Sequence, residues 1–501
     1  SIVLGGLNND PVGLLTIDDA TPDENQLLTV SIAGVTDADN PGAGAVTGPV
    51  SYVWQVDTRA DGVFEDVIIA TGLGDVRATG PTFTPGDAEV GLALRVRAIY
   101  QDANGVLETV FSAPTALVGN VNDAPTGLPT ISETAPTEGR ALTVITTTIV
   151  DPDGTTAATV FTFQWQSSPA TGPAVWTDIP GPDGTNQLFT PTQAQVGRLL
   201  RVVVTYTDDG GTVETLTSNP TDIVGDLIVS NGASSTLNGT AGADEIFAGG
   251  GADNVNGLAG NDILNGENGN DTIDGGLGSD TMSGGLGNDT FIVDNVGDTV
   301  IEELNEGTDT VRTSLNAYTL SPNVETLIFT GVGNFAGTGN AINNTINGNG
   351  GADTLSGAGG NDTLNGNAGA DTLNGDGGDD TLNGGTGNDI LTGGIGTDEV
   401  NGGADNDRLV ATVGDGNDAY DGGGGTDTYD LSATTAGATI TTNAASSTQT
   451  GTDSLTSIEN FIGSQGNDVI TVNGANNVID GQDGNDTVNA GGGKDLRQFL
   501  A

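Results

Sequence analysis

The sequence has no cysteine and no histidine in 501 residues, and its single lysine is Lys494. Zinc sites of the usual Cys/His kind, cysteine nucleophiles and Ser-His-Asp triads are thereby excluded, and a Ser-Lys pair has only Lys494 to draw on. No disulfide can brace the fold, so cysteine usage says nothing of the compartment. Aromatic residues make up only 4%. No apolar run approaches membrane-spanning length, and no secretory signal pattern opens the sequence. Basic residues are scarce: 11 Lys+Arg stand against 67 Asp+Glu, a formal charge of -56. That balance argues against nucleic acid as a partner and suits a cation binder or a highly soluble extracellular protein. No catalytic residue and no organic-cofactor site can be named.

What is present falls into two parts. Phe83 to Tyr100 (FTPGDAEVGLALRVRAIY) recurs 106 positions later as Phe189 to Tyr206 (FTPTQAQVGRLLRVVVTY), and at the same shift Asp102 matches Asp208 and Glu108 matches Glu214. VSYVWQV around Trp54 matches FTFQWQS around Trp165. Alternating runs such as Leu94 to Tyr100, bounded by Gly/Pro/Asp turns, predict tandem antiparallel β-sandwiches of about 100 residues with core tryptophans. These modules resemble immunoglobulin-like and cadherin-like domains of large bacterial surface proteins. The joint Val121 to Gly127 echoes Leu7 to Gly13, and Ser1 to Gly5 matches the last strand at Ala116 to Asn120. The natural protein is therefore expected to extend further toward its N-terminus. Asn122-Asp123 looks like a cadherin-type calcium linker, and Asp37/Asp39 and Asp151/Asp153, at equivalent places, can chelate a hard cation, although Asp-x-Asp is also an ordinary turn and the full cadherin ligand set is not recognisable.

After Asp226 a nine-residue clock starts. Asp244, Asp253, Asp262, Asp271, Asp280 and Asp289 are each nine apart, with glycine two before and an apolar residue two after. The clock resumes at Asn344 and runs through Asp353, Asp362, Asp371, Asp380, Asp389, Asp398 and Asp407. Shorter runs follow at Asp418 and Asp427, then at Asp468, Asn477, Asp486 and Asp495. Glycine pairs such as Gly275-Gly276, Gly284-Gly285 and Gly384-Gly385, with Gly278, Gly287 and Gly387 two residues further on, fill the turns. Chance does not hold one phase over eight successive units.

This G-G-x-G-x-D-x-U-x pattern closely resembles the haemolysin-type (RTX) calcium-binding repeat. The resemblance implies a parallel β-roll in which two units complete one coil, each unit giving a six-residue turn and a three-residue strand. It further implies calcium held between turns two units apart, pairing Asp262 with Asp280, Asp271 with Asp289, Asp362 with Asp380 and Asp371 with Asp389. One apolar residue per nine offsets too little of the cost of ordering the chain. From 227 to 501 there are 39 acids and four bases, a net charge of -35. A divalent cation would supply both the missing stabilisation and the missing positive charge. Asn344 and Asn477 replace the aspartate, Ile342 and Asp405 the third glycine, and Ala248, Val413 and Val472 the first. Strong sites are therefore expected from Asp253 to Asp289 and from Asp353 to Asp398, with weak or empty ends.

The expected organisation is all-β: two tandem antiparallel sandwiches followed by a parallel β-roll. Residues 1–7 would end a preceding sandwich; 8–120 and 121–226 would be the two sandwiches. A first roll run would span 234–293, an extended solenoid insertion 294–338, and a second run 339–427. A second insertion would occupy 428–462 and a terminal run 463–501, whose apolar end is compatible with an uncleaved secretion signal. The family resemblance implies an acidic bacterial protein exported by a type I system and folding outside the cell. One functional class is a structural adhesin, matrix fibre or surface-layer component that partners a cell surface, a matrix or copies of itself. The other is the C-terminal secretion and folding appendage of an enzyme, such as a haem-peroxidase-like protein, a lipase or a protease, whose catalytic domain lies outside this sequence.

Overall fold

Alternating apolar residues build the first 226 residues. The computed structural model describes residues 8–69, 76–155 and 159–498, and these are all-β apart from two 3-10 turns, Asp87–Glu89 and Asp183–Thr185. Residues 1–7, and residues 499–501 of the apolar terminal cluster, lie outside the described residues. In the strand Ala93–Gln101 every second side chain (Leu94, Val96, Ala98, Tyr100) is buried, as are Leu200, Val202, Val204 and Tyr206 in Arg198–Thr207. Period-two burial is what one covered sheet face demands.

Each of these long strands is central in a four-stranded antiparallel sheet. The first joins Glu65–Asp66, Val50–Asp57, Ala93–Gln101 and Leu107–Phe111, and the second joins Thr177–Asp178, Thr162–Pro169, Arg198–Thr207 and Val213–Thr217. A three-stranded sheet accompanies each: Thr16–Ile17, Leu28–Ser31 and Thr82–Phe83 in one module, Thr130–Ile131, Leu142–Ile145 and Leu188–Phe189 in the other. Trp54 and Trp165 are fully buried against Phe83 and Phe189, at 5.5 and 5.1 Å between ring centroids. Their indole N–H groups donate to Gly80 O and Asn186 O, so both are satisfied core residues.

From Leu227 onward the strands pair in parallel, apart from the antiparallel pairings of Ala444–Ser447 with Thr439–Thr441 and with Gly451–Thr456. One 16-stranded sheet runs along the solenoid, and the opposite wall consists of a five-stranded sheet followed by a ten-stranded one. In the regular runs each strand pairs with the second strand after it, one coil further on, as in Leu364↔Leu382 and Leu373↔Leu391. The interior is a single file of apolar residues per wall: Ile246, Val255, Leu264, Ile273, Met282 and Phe291, then Leu355 through Leu409, are essentially inaccessible. Several strands are longer than the expected three residues. Thr381–Thr386 has six, because pairing continues into the turn through Gly385↔Gly403 and Thr386↔Ala404.

The aperiodic stretches stay within the solenoid; the first changes the coil length and the second also inserts a hairpin. Thr290, Thr310, Thr326 and Thr345 are successive partners, so a long coil, a short one and another long one follow the first run. Here the five-stranded wall ends at Thr299–Ile301 and the ten-stranded wall begins at Ala317–Thr319. Stacked Phe329 and Phe335, 4.6 Å apart, fill the interior nearby. Further on, Ala419 pairs with Ser454 and Thr428 with Asn460. The extra chain forms a hairpin, Thr439–Thr441 with Ala444–Ser447, that enters the 16-stranded sheet. The second sandwich meets the first coils through Arg140, whose Nη2 lies 2.6 Å from Glu245 Oε1, and through Thr137 Oγ1, which donates to Ala243 O at 2.7 Å.

Candidate metal centre

The repeat aspartates form two buried ladders, one along each row of turns. In each regular turn one carboxylate oxygen is used within the protein: Oδ1 of Asp262, Asp271, Asp280, Asp289, Asp362, Asp371, Asp380, Asp389, Asp398 and Asp407 accepts the N–H of the residue 18 earlier at 2.7–2.9 Å. Asp353 accepts from Phe335 in the same way, and Asp418 and Asp427 accept from 20 residues back.

The second oxygen is the informative one. Oδ2 of Asp253, Asp262, Asp271, Asp280, Asp289, Asp353, Asp362, Asp371, Asp380, Asp389, Asp398, Asp407 and Asp427 is buried with no hydrogen-bond partner. A buried unpaired carboxylate oxygen is costly, and a periodic row of them requires a common explanation. Apart from Asp253, which has Ala248 there, each lies beside the backbone of a glycine five residues earlier, and most also face a glycine carbonyl of the next coil. A Cβ placed on Gly257 would meet Asp262 Oδ2 and lie 2.6 Å from Gly275 O. At Gly266 the neighbours are Asp271 Oδ2 and Gly284 O at 2.7 Å, and at Gly366 they are Asp371 Oδ2 and Gly384 O at 2.8 Å. The next residue in the turn is left-handed, whether glycine (Gly276, Gly285, Gly385) or not (Leu258, Glu267, Ala358, Asp376). Gly278, Gly287 and Gly387 then stack on the carbonyls of Gly260, Gly269 and Gly369.

Three turns are built differently. At Asp244, Asn344 and Asp468 the corresponding residue is Thr240, Asn340 or Ser464, and none of these is left-handed. Its N–H instead donates to the side-chain oxygen at 2.6, 2.7 and 2.8 Å respectively. Both oxygens of Asp244 and of Asp468 are thus engaged by protein donors. Asp418 uses its second oxygen on the Tyr420 hydroxyl at 3.3 Å. Asp486 and Asp495, at the C-terminal end, are partly exposed.

Burial pushes the carboxyls of Asp262, Asp289 and Asp362 up to about 7, and those of Asp280, Asp380, Asp389 and Asp407 up to about 6, against the opposing pull of the N–H each accepts. A carboxyl raised in the folded state stabilises it fully below the unfolded value near 4, and that contribution is lost as pH rises through 6 to 7. In chelator the roll should therefore show more β signal at pH 5 than at pH 7.5. A circular-dichroism titration checks the sign.

The run taken from the sequence stops at Asp289 and so misses Asp298, nine residues further on, and the count itself misses the acids of coils that are longer or shorter than 18 residues. The N–H groups of Asp280, Asp289, Asp309, Asp418 and Asp427 donate to Asp298, Asp309, Glu325, Asp453 and Glu459. Their signal is an acid two residues before a buried apolar residue: Asp298/Val300, Asp309/Val311, Glu325/Leu327, Asp453/Leu455 and Glu459/Phe461. In the sandwiches, Asp37, Asp102 and Glu108 converge within 4.8 Å. Asn8 donates to Glu108 at 2.7 Å and Tyr100 to Asp37 at 2.9 Å, while the second module repeats the arrangement with Asn122 on Glu214 and Tyr206 on Asp151. Asp39 and Asp153 accept the N–H of Asn9 and Asp123.

The family model for the RTX calcium-binding nonapeptide repeat (4 copies) matches residues 230–264, 256–291, 338–373, 374–409 and 462–496. The solenoid carries RTX calcium-binding repeats. Its cofactor is calcium, in several copies. The donor set fits: free carboxylate oxygens beside backbone carbonyls, with no nitrogen or sulfur ligand, suit a hard cation seeking six to eight oxygens. No curated protein matches the chain. Among solved structures, the FN1–FN3 domains of chicken CNTN1 align at 15% identity over 45% of this chain and 70% of that one, with a TM-score of 0.19. A tetra-tandem repeat from the extending region of a large adhesion protein aligns at 18% identity over 42% of this chain and 50% of that one, with a TM-score of 0.16. Among the described residues no helix is long and apolar enough to cross a membrane.

Proposed function

We propose that this chain is a secreted structural and adhesive segment whose RTX roll folds on extracellular calcium after type I export. The observation that carries this reading is the periodic row of buried, unpartnered Oδ2 atoms. In this reading calcium is held by Asp253, Asp262, Asp271, Asp280, Asp289, Asp353, Asp362, Asp371, Asp380, Asp389, Asp398, Asp407 and Asp427, with carbonyls of turn glycines such as Gly275, Gly284 and Gly384. Bound calcium would supply positive charge and oxygen coordination, while the chain's own turns aim the oxygens and exclude water. Extracellular modules bind calcium with Kd of order 10⁻⁴–10⁻³ M, out of reach of cytosolic calcium, so export would precede folding. Repeated sandwiches ahead of a stiffened rod suit a spacer that displays a surface at a distance.

Equilibrium dialysis of the full chain tests the calcium half of the proposal: several ions should bind at millimolar calcium, and a chain that binds none refutes it. The turn types sharpen the test. Asp262→Asn should reduce uptake, whereas Asp244→Asn and Asp468→Asn should leave it unchanged, because both oxygens of those residues already have protein donors. Export is tested by secreting the chain with a type I transporter. Mutations that fold the roll without calcium should block passage.

A further inference from the structure

The geometry points to a three-carboxylate calcium site at the end of the first run, formed by Asp289, Glu302 and Asp309 and different in make-up from the repeat turns. One oxygen from each of the three lies within 4.8 Å of the others. All three residues are buried, at 1, 6 and 1% exposure.

Proximity of acids alone would not make a site; the satisfied and unsatisfied atoms do. Asp289 Oδ1 accepts from Asp271 N at 2.7 Å, Asp309 Oδ1 from Asp289 N at 2.8 Å, and Glu302 Oε1 from Gly284 N at 2.7 Å. That leaves Asp289 Oδ2 and Glu302 Oε2, on two different coils, both buried and both without a partner. An ion shared between them is the simplest way to satisfy both.

The repeat geometry explains how Glu302 comes to be there. In a regular turn the oxygen facing Asp Oδ2 is the carbonyl of a glycine in the next coil, as Gly275 faces Asp262 and Gly284 faces Asp271. The same count taken from Asp289 ends not on a glycine but on Glu302. A Cβ on Gly284 would meet Asp289 Oδ2 and lie 2.5 Å from Glu302 Oε1, so a side-chain carboxylate occupies the place of a neutral carbonyl. The coil then runs two residues long, and Asp309 supplies the closing carboxylate 20 residues on from Asp289. Three carboxylates surround this point where a regular turn offers two. Calcium affinity rises with ligand charge count, so this site fills first.

The inference rests on the calcium-folded reading of the roll. Calcium binding to the full chain is measured against a competing fluorescent chelator for the unaltered protein, Glu302→Gln, Glu302→Asp and, as a repeat-turn reference, Asp371→Asn. The unaltered chain should bind one ion at least ~10-fold more tightly than the rest, a difference of about 1.4 kcal/mol. Glu302→Gln should abolish that tight ion and leave the weaker ones, Glu302→Asp should bind it with intermediate strength, and Asp371→Asn should retain it. Glu302→Gln is near in shape and keeps an oxygen to accept from Gly284 N, so at saturating calcium its far-UV β signal should match that of the unaltered chain, which separates a binding defect from misfolding. An undiminished tight ion in Glu302→Gln, together with reduced uptake in Asp371→Asn, overturns this site alone. If the unaltered chain takes up no calcium, the reading of the whole roll falls.

Discussion

Transfer of the full chain from millimolar calcium into excess chelator at neutral pH is expected to remove most of its far-UV β signal while leaving tryptophan emission nearly unchanged. The two probes separate the halves cleanly. All three tryptophans lie in the sandwiches: Trp54 and Trp165 are fully buried, and Trp176 stacks under Arg201 at 4.3 Å. The sandwiches have contiguous apolar cores of their own, Leu15 through Val118 and Leu142 through Val224. The solenoid, by contrast, buries one apolar residue per nine and holds at least a dozen carboxylate oxygens without partners. Metal binding and folding are one equilibrium in such a system. Restoring calcium should restore the signal cooperatively. A red-shifted tryptophan spectrum in chelator would show that the sandwiches depend on calcium as well, and an unchanged β signal would remove calcium from the folding of the roll.

The second large effect is expected from a pair of adjacent glycines in the longest run. At Gly377 an added Cβ would lie 4.0 Å from its nearest neighbour, Ala358 O, and the backbone is not left-handed, so Gly377→Ala should change stability by less than about 0.5 kcal/mol. At Gly378 φ is +135°, and the same Cβ would collide with the carbonyl of Gly360, whose carbon would be 2.5 Å away. That contact is backbone against backbone and repeats above and below, so local yielding would break the register of both coils. Adding the left-handed penalty to overpacking, Gly378→Ala should cost about 3 kcal/mol or more and raise the calcium midpoint for folding severalfold. Calcium titrations followed by circular dichroism compare the two variants. Equal midpoints would mean that the coil spacing is softer than the geometry indicates.

Much of this was legible in the sequence, for a physical reason. A solenoid stacks each unit on its copy, so Asp262, Asp271 and Asp280 must repeat as their environment repeats and the period can be read directly, while their pairing 18 residues apart came from the RTX resemblance. The core tryptophans were legible from the repeat of the sandwich module for the same reason. What the count could not show depends on the third dimension. Glu302 stands 18 residues after Gly284, in the regular register, and enters its cluster because its side chain lies over that glycine, while Asp309 joins because the coil from Asp289 runs to 20 residues. Thr240 and Ser464 sit in turns that keep the aspartate and differ in one residue, whose backbone chooses between facing the carboxylate and turning left-handed. The first insertion reads as a break because the nine-residue count fails after Asp298, yet the acid and its apolar residue keep their two-residue offset through Asp309 and Glu325.

The Oδ1 ladder has a polarity. Every aspartate reaches back to an amide of the preceding coil, as Asp380 does to Asp362 and Asp398 to Asp380, so each layer is latched by its successor. Among the described residues the latch is present throughout the regular runs and is missing where asparagine stands in the ladder, at Asn344 and Asn477. Whole layers of two units can therefore be added to or removed from the interior of a run without creating a loose end. The reach of the rod can be set in steps of about 4.8 Å.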